Sequence, residues 1–298
     1  MRPTLAHVLH GNNKQIVIPT EQWVENTFDS NSWVILSPIE QSIKSKIEKY
    51  GTPLRDWDIK INRGVLTGCN EAFIISTEKR DEILANCKTE EERKRTDEII
   101  RPILRGRDIK RYKYDWKGLW LIGLFPSRHY DIETLPAIKK YLLDFGYDRL
   151  KQTGEKGARK KTSNKWFETQ DTIAYWEDFK HQKIVYPETT QGAFFALDKE
   201  GFLIDKTCFM LISKNNLYLQ KILSSMLYTF AYKRLFSSIE LGDNGYQYNK
   251  HALIKLPISS DGELIRKVEM APQREIDSII EDFYHLNKEE KTYIRIKL

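Results

Sequence analysis

The chain has 298 residues, and a hydrophobic share of 40% is enough for a substantial core in one large domain or two ordinary ones. Its 48 Lys and Arg exceed its 42 Asp and Glu, a moderate net charge of +6 that matters for binding only where it is clustered. The N-terminus lacks the apolar centre of a signal peptide, and no apolar run reaches the roughly 18 to 20 residues that span a bilayer. Three isolated cysteines support neither a disulfide framework nor a zinc site. These features predict a soluble, cytoplasmic protein with reduced thiols.

The first hundred residues are predicted to mix strands and helices. Short apolar runs at 15–18 and 33–36 predict strands. Residues 38–50 predict a helix, because a proline stands near its start and a Gly-Thr-Pro sequence would stop it. Residues 56–76 hold two apolar runs around glycines and predict a strand, a turn and a second strand. Residues 77–100 are dense in charge and free of proline, which predicts an exposed, solvated helix supported by i,i+4 pairs.

The rest of the chain predicts an α+β fold with a mixed, largely antiparallel sheet and long C-terminal helices. Residues 151–166 hold a single apolar residue before Trp166, so they cannot bury a face and predict a mobile loop. Residues 198–201 are predicted to be a hairpin turn between the two strands that flank them. The remaining predicted elements are strands at 118–125, 183–187, 193–197 and 207–212, and helices at 135–145, 217–236 and 272–286.

Basic side chains concentrate in two stretches. Residues 101–117, RPILRGRDIKRYKYDWK, carry seven basic against two acidic side chains, and residues 149–166 carry seven against one. The rest of the chain is therefore net acidic, which argues against a uniformly solvated surface. Each Lys or Arg that meets a phosphate releases counterions, so two such stretches together favour nucleic acid as the partner. A solvated loop without a partner, or a basic module that binds acidic proteins, stays open as an alternative.

Polar side chains near these stretches are candidates for contacts to base edges. Asn70, Thr162, Ser163, Asn164 and Gln191 are of the types that read bases, although each is equally typical of a turn. The candidate DNA-binding residues are Asn70, Arg105, Arg107, Lys110, Arg111, Lys156, Arg159, Lys160, Lys161, Asn164, Lys165 and Gln191.

The motifs of common enzymes are missing. The sequence contains no dinucleotide fingerprint, Walker A lysine motif, nucleophile elbow or zinc-protease motif. His7 and His10 stand three residues apart without a third ligand, which makes a metal site there a weak hypothesis. Asp171, Asp178 and Lys180 loosely fit the pattern of a magnesium-dependent nuclease, but other Asp-x-Lys triplets arise by chance in so charged a chain. A small nuclease therefore stays open as a second alternative.

Two segments, GVLTGCNEAFII at 64–75 and RPILRGRDIKRY at 101–112, resemble a known family. They are similar to the TaqI-like C-terminal specificity domain of bifunctional type IIG restriction-modification enzymes and related adenine-specific DNA methyltransferases. The resemblance covers roughly residues 35 to 290. Later signatures in the same order are Trp166-Phe-Glu168, Lys183-Ile-Val-Tyr-Pro-Glu188, Tyr218-Leu-Gln-Lys-Ile-Leu-Ser-Ser225, Leu256-Pro-Ile258 and the tail 276–290.

The resemblance implies a target recognition domain at 55–260, preceded by a linking segment and helix at 1–54 and followed by a packed helical tail at 261–298. Such a domain recognises double-stranded DNA, while methyltransferase and endonuclease domains, in cis or as a separate subunit, use S-adenosylmethionine and magnesium. This sequence has neither the Asn/Asp-Pro-Pro-Tyr/Phe loop nor the Gly-rich cofactor loop of the methyltransferase. We therefore expect no cofactor and no catalysis in this chain by itself, which would be a piece of a longer enzyme or a split specificity subunit.

The resemblance also assigns different roles to the two basic stretches. A framework segment shared by enzymes of different specificity cannot encode any one of them, so at least one of Arg105, Arg107 and Lys110 is expected to contact a phosphate, with Arg105 and Arg107 as the expected anchors. The alternative for part of this charge is that it holds the fold or the neighbouring catalytic domain. Asp108 is expected to pair locally with Arg105 or Arg111. The loop 156–165 contains glycine and polar residues, and we expect it to enter a DNA groove freely, with Arg159 and its neighbours reading bases.

Overall fold

The fold consists of small sheets packed against helices, and the computed structural model describes residues 6–10, 14–18, 36–236, 240–241 and 245–298. Its strands are β1 (Ala6–His10), β2 (Lys14–Ile18), β3 (Thr52–Pro53), β4 (Ile59–Arg63), β5 (Ile74–Ser76), β6 (Ile100–Leu104), β7 (Ile109–Lys110), β8 (Lys113–Tyr114), β9 (Leu119–Ile122), β10 (Lys183–Pro187), β11 (Thr189–Thr190), β12 (Ala196–Asp198), β13 (Leu203–Ile204), β14 (Cys208–Ser213), β15 (Glu240–Leu241), β16 (Gly245–Gln247) and β17 (Pro257–Ile258).

The α-helices of the described residues include three near the C-terminus, α9 to α11. They are α1 (Pro38–Tyr50), α2 (Asn70–Phe73), α3 (Thr77–Ala85), α4 (Glu90–Ile99), α5 (Pro136–Leu150), α6 (Asn216–Leu223), α7 (Met226–Phe230), α8 (Lys250–Leu253), α9 (Gly262–Met270), α10 (Ile276–Phe283) and α11 (Lys288–Lys297). A π-helix follows α7 at Ala231–Phe236, and 3-10 helices lie at Leu54–Asp56, Gly106–Asp108, Pro126–Arg128, Ile132–Thr134, Trp176–Lys180 and Gln273–Glu275. Among the residues that the structure describes, no helix is long and apolar enough to cross a membrane.

Two four-stranded sheets organise the molecule. The first has the order β12-β10-β14-β4 and is antiparallel throughout, whereas the second has the order β13-β6-β9-β5 and contains one parallel pair, β13 with β6. That parallel pair aligns Leu203 with Ile103 and Ile204 with Leu104. The predicted α+β fold with a mixed, largely antiparallel sheet is confirmed.

The first sheet separates two hydrophobic cores. Successive residues of β10 alternate between them: Ile184 and Tyr186 face the core formed with α1 and the C-terminal helices, while Val185 faces the core of the second sheet. A strand that is buried on both faces has a continuous apolar run, and Ile184–Pro187 provides one, so the strand at 183–187 could be predicted from the sequence. The predicted helix at 38–50 is confirmed, and Ser37 with Glu40 forms the capping box that starts it.

Several predictions of local structure are wrong because distant pairing overrides them. The two strands predicted within 56–76 belong to different sheets, since β4 pairs with β14 and β5 with β9. Residues 198–201 do not form a hairpin between neighbouring strands, because β10 lies between β12 and β14. At this turn Lys183 and Asp198 form a fully buried ion pair, with Nζ and Oδ2 2.5 Å apart. The Asp198 carboxylate also accepts backbone N–H groups of the turn, including that of Phe202 at 2.9 Å.

Two predicted helices are also interrupted. The segment 217–236 is not one helix, because α6 ends at Leu223 and Ser225 caps the start of α7 by accepting the backbone N–H of Tyr228 at 3.3 Å. The charged segment 77–100 forms α3 and α4, with Thr89 capping the second. One of its charges is not solvated: Glu92 is buried and accepts the backbone N–H of Ala137 at 2.8 Å, at the start of α5. The predicted strand at 15–18 is confirmed within β2, whereas residues 33–35 lie outside the described residues.

Candidate nucleic-acid interface

A groove of about 820 Å³ lies where β6, β10 and β13 end. The turn after β6 forms one wall, and residues 187–191 with the turn 205–207 form the other. Its basic lining residues are Arg63, Arg105, Arg107, Lys110 and Lys206, against the acidic Glu188 and Asp205. The parallel pairing of β13 with β6 accounts for the arrangement, because it makes both strands release their turns at the same edge of the sheet.

The turn after β6 is held by one buried carboxylate. Asp108 is 2% exposed and accepts three hydrogen bonds from Arg105, from the backbone N–H, Nε and Nη2, each at 2.9 Å. These hydrogen bonds raise the pKa of Arg105 and fix its guanidinium along the turn. The expected local pairing of Asp108 is therefore with Arg105. Arg107, in the same turn, is exposed and lines the groove.

The facing turn packs closely on Gly106. The backbone N–H of Gly106 donates to Thr207 Oγ1 at 3.1 Å, and Thr207 Oγ1 donates to Asp205 Oδ1 at 2.5 Å. A Cβ atom on Gly106 would lie 2.9 Å from that hydroxyl, closer than real Cβ contacts occur. Glycine at this position therefore allows the two walls of the groove to approach each other.

The acidic groups of the groove are already engaged by neighbours. Glu188 accepts from Arg63 at 2.8 Å and from Gln247 at 3.1 Å, and Asp205 accepts from Thr207. Within the part of the chain that the structure describes, Arg107, Lys110 and Lys206 form no ion pair. Lys110 lies over the ring of Phe194, 5.7 Å from its centroid. The groove thus presents three cations without a carboxylate partner.

Polar side chains lie on the same groove. Thr189 and Gln191 are exposed on its wall, and Thr190 stabilises the turn between them by donating to the carbonyl oxygen of Gly192 at 2.8 Å. The Gln191 amide makes no hydrogen bond to another described residue. An exposed amide has both a donor and an acceptor available, and Arg107, Lys110 and Lys206 line the same groove.

The structure brings together only some of the predicted site residues. Arg105, Arg107, Lys110 and Gln191 share the groove, whereas Arg63, Lys206 and Thr189 line it without having been predicted. Sequence reasoning missed Lys206 because it stands alone in its turn, and only the pairing of β13 with β6 places it beside the basic stretch. Arg63 likewise reaches the groove from the end of β4, which lies in the other sheet.

The loop at 151–166 is folded around a buried arginine, so the expectation that Arg159 is free to enter a DNA groove is wrong. Arg159 is 2% exposed, and its guanidinium lies 5.1 Å from the ring centroid of Phe73. Burial lowers its pKa to about 10, which leaves it protonated at neutral pH. The guanidinium donates to four backbone carbonyl oxygens, those of Leu150 at 2.7 Å, Thr67 at 2.9 Å, Glu168 at 2.8 Å and Trp166 at 2.6 Å.

Further hydrogen bonds hold this loop in place, and they correct the prediction that it is mobile. Gln152 donates to the carbonyl oxygens of Lys165 and Glu168 at 3.0 and 3.1 Å. The Asn164 amide is not free for a base edge, because its nitrogen donates to the carbonyl oxygens of Thr169 and Gln170 at 3.1 and 2.9 Å. Four basic residues of the loop remain exposed, and DNA contact by them stays a prediction: Lys156, Lys160, Lys161 and Lys165.

Arg111 and Asn70 lie outside the groove. Arg111 donates to the carbonyl oxygen of Ser224 at 2.5 Å and lies 4.0 Å from Asp277, so it connects the basic stretch to the C-terminal helices. Asn70 is exposed at the start of α2, and its Oδ1 accepts from Thr67 at 2.6 Å. It lines a shallow depression that also contains Lys206, which connects this surface to the groove.

The residues of the nuclease hypothesis, Asp171, Asp178 and Lys180, do not form a shared metal site. Asp178 accepts from Lys60 at 3.3 Å and from Asn62 at 3.1 Å, while Lys180 pairs with Glu177 at 2.9 Å. Burial raises the pKa of Asp171. Among the described residues, no three His, Cys, Asp or Glu side chains are grouped so that they could hold a metal ion.

Comparison with solved structures finds the same fold in a larger protein, and a second structure with a weaker similarity. The type IIL restriction-modification enzyme MmeI, in complex with DNA, matches 99% of this chain with a TM-score of 0.53 at 12% identity. The type IIG restriction endonuclease BpuSI matches 83% with a TM-score of 0.49 at 14% identity. The chain spans 40% and 32% of the length of these two proteins. No curated protein matches the chain.

Comparison with protein families gives a match to the TaqI-like C-terminal specificity domain over residues 101–258. The match covers more than half of the chain and contains most of the groove: both turns that form its walls, with Arg105, Arg107, Lys110, Gln191 and Lys206. The chain therefore belongs to the TaqI-like C-terminal specificity domain family.

Proposed function

We propose that this chain recognises a DNA target sequence for a restriction-modification enzyme of type IIG, or for a related adenine-specific DNA methyltransferase, and that its groove contacts the duplex. Membership of a specificity-domain family supports the proposal, and so does the shared fold with MmeI, an enzyme described in complex with DNA. In the complete enzyme, methyltransferase and endonuclease domains would be the partners, in the same chain or as a separate subunit.

The observation that carries the proposal is the juxtaposition of unpaired cations and free polar groups in one groove. Arg107, Lys110 and Lys206 are available for phosphates, which position a protein on the duplex without reading its sequence. Gln191 is available for a base edge, and a glutamine amide can bind adenine in a bidentate way in the major groove. Affinity and specificity would then arise from different residues on the same surface.

We further propose that this chain neither binds S-adenosylmethionine nor cleaves DNA alone. The sequence has no Pro-Pro-aromatic loop and no Gly-rich cofactor loop, and the described residues offer no carboxylate set for magnesium. S-adenosylmethionine and magnesium would serve the catalytic domains of the complete enzyme. Calorimetric titration of the chain with S-adenosylmethionine tests the first point, and a saturable heat would refute it. Incubation with DNA and magnesium tests the second.

The groove can be tested by neutralising one cation. The target is first selected from a random duplex library with the full chain, and Arg107→Ala is then compared with the unaltered chain by fluorescence anisotropy at several salt concentrations. We expect weaker binding to target and scrambled duplexes alike, with a salt slope lower by about one. Arg274→Ala is the matched control, because Arg274 is 85% exposed on the C-terminal tail. Equal salt slopes for the Arg107 variant and the control would exclude a phosphate contact at Arg107.

A further inference from the structure

A second concave surface lies at the opposite end of β6 from the groove. It has a volume of about 450 Å³ and is lined by four basic residues, Arg95, Arg101, Arg128 and Lys180, and by one acidic residue, Glu98. Arg101 of β6 lines it, and Arg105, four residues further along the chain, lines the groove, a span of roughly 13 Å at about 3.3 Å per residue. The two surfaces share no lining residue.

Two of these cations are oriented without a counter-charge. The Arg128 guanidinium lies 3.7 Å from the ring centroid of Trp176, and Arg101 donates to the carbonyl oxygen of Gly201 at 3.4 Å. Neither forms an ion pair with a described residue. The Arg128 Nε donates to the Tyr130 hydroxyl at 3.5 Å, and stacking leaves its terminal N–H groups available, in a planar arrangement that matches the oxygens of a phosphate. Arg105 in the groove differs, since Asp108 already occupies its fork.

The floor of this pocket is apolar. Ile99, Phe125 and Leu203 are each at most 5% exposed as residues, and Gly123 adds no side chain to fill the space. A Cβ atom on Gly123 would lie 3.1 Å from the carbonyl oxygen of Ile99 and 3.2 Å from the ring of Phe125. A volume of about 450 Å³ falls in the range of small-molecule sites, which combine an apolar lining with a few placed polar groups.

We propose that this pocket binds a phosphate ester, with the phosphate on Arg101 and Arg128 and an attached flat ring on the apolar floor, as a nucleotide would provide. The positive lining and the two unpaired guanidinium groups favour a charged phosphate over a neutral group. The apolar floor favours the attached ring. The site is independent of the DNA groove, and it would stand if that groove failed to bind DNA. The phosphate can come from a free nucleotide or from the backbone of DNA.

Calorimetric titration of the full chain with AMP, ATP, inorganic phosphate and adenosine tests the proposal. Saturable binding of AMP and ATP is expected, with adenosine much weaker. Arg101→Gln and Arg128→Gln should each lower the affinity about tenfold, the size of a lost charge-assisted hydrogen bond. Glu98→Gln should raise it several-fold because a repelling carboxylate is removed, and Arg274→Gln should leave it unchanged. Thermal unfolding of each variant shows whether it folds. Because the two arginines are replaced separately, the contact of each with the phosphate is tested even if the other variant is unstable.

Competition between ATP and a DNA duplex distinguishes the two sources of phosphate. If a duplex displaces ATP and Arg128→Gln lowers duplex affinity, the pocket holds a backbone phosphate of DNA. If ATP binds without competition and Arg107→Ala affects only the duplex, the ligand is a free nucleotide. The proposal is overturned if no phosphate-bearing probe, free or in DNA, binds in a way that depends on Arg101 or Arg128.

Discussion

The two basic stretches of this chain carry nearly the same charge and have different structural roles. In 101–117, one arginine is locked onto Asp108 while Arg107 and Lys110 remain exposed beside a groove. In 149–166, the central Arg159 is buried and binds backbone carbonyl oxygens, while the lysines around it face solvent. Charge density therefore does not show which cations are available to a partner. What decides it is whether a carboxylate or a set of carbonyls lies within reach.

The largest effect is expected from removing the buried arginine. Arg159→Met should lower the free energy of unfolding by about 4 kcal/mol, because four buried carbonyl oxygens lose their hydrogen-bond donor and the loop 151–166 loses the hydrogen bonds around which it folds. Lys160→Met, one residue away and exposed, should change it by less than about 0.5 kcal/mol. Urea unfolding of both variants measures the difference. A mild effect at Arg159 would restore the hypothesis of a loose, accessible loop.

Releasing the paired arginine should alter both stability and binding. Asp108→Asn removes the charge that holds Arg105 and is expected to cost about 2 kcal/mol of stability. It should also strengthen binding to any duplex and steepen the salt slope by up to about one, since a further cation faces the groove. Asp115→Asn is the control, because Asp115 is exposed, forms its ion pair with Lys117 and lies outside the residues that line the groove. An unchanged slope in the Asp108 variant would mean that Arg105 does not face DNA even when released.

Gln191 tests whether the groove reads sequence. Gln191→Ala should weaken binding to the target duplex by about 1 to 3 kcal/mol and leave a scrambled duplex unaffected, as the loss of a base contact does. Gln273→Ala, on the remote C-terminal segment, serves as the matched control. Anisotropy titrations on both duplexes measure the ratio of affinities. Equal losses on both duplexes would place Gln191 on the phosphate backbone and move base reading to another part of the surface.

The smallest effect is expected from the lysines of the folded loop. Replacing Lys156, Lys160 and Lys161 together by glutamine should leave stability unchanged and weaken target and scrambled duplexes equally, by less than Arg107→Ala does. The reason is that these side chains are exposed but do not line the groove. The same anisotropy assay applies. A selective loss on the target duplex would return sequence reading to this loop, as the sequence by itself predicted.

Local signals in the sequence were sufficient for several features. The start of α1 followed from a serine, a proline and a glutamate whose capping geometry is local. The buried strand at 183–187 followed from its apolar run, and the family resemblance from motifs at 101–112 that the family match includes. In the site, the basic turn with Arg105 and Arg107 could be predicted because its charge and its glycine are contiguous. Asp108 pairs with Arg105 within three residues, so that contact was accessible as well.

Tertiary structure decided which of the remaining side chains are free. Lys206 and Arg63 meet the basic turn because β13 pairs with β6 and β14 with β4, and Gln191 follows β10, which also pairs with β14. The partners in β13 and β6 are 100 positions apart, and Phe209 of β14 pairs with Arg63, 146 positions away. Arg159 is buried only because the loop before α2 and the segment after Trp166 bring their carbonyl groups to it. The sequence by itself determined the amount of charge and the places where it is concentrated. Desolvation and hydrogen bonding depend on neighbours in space, so only the folded chain determined which charges stay available for a ligand.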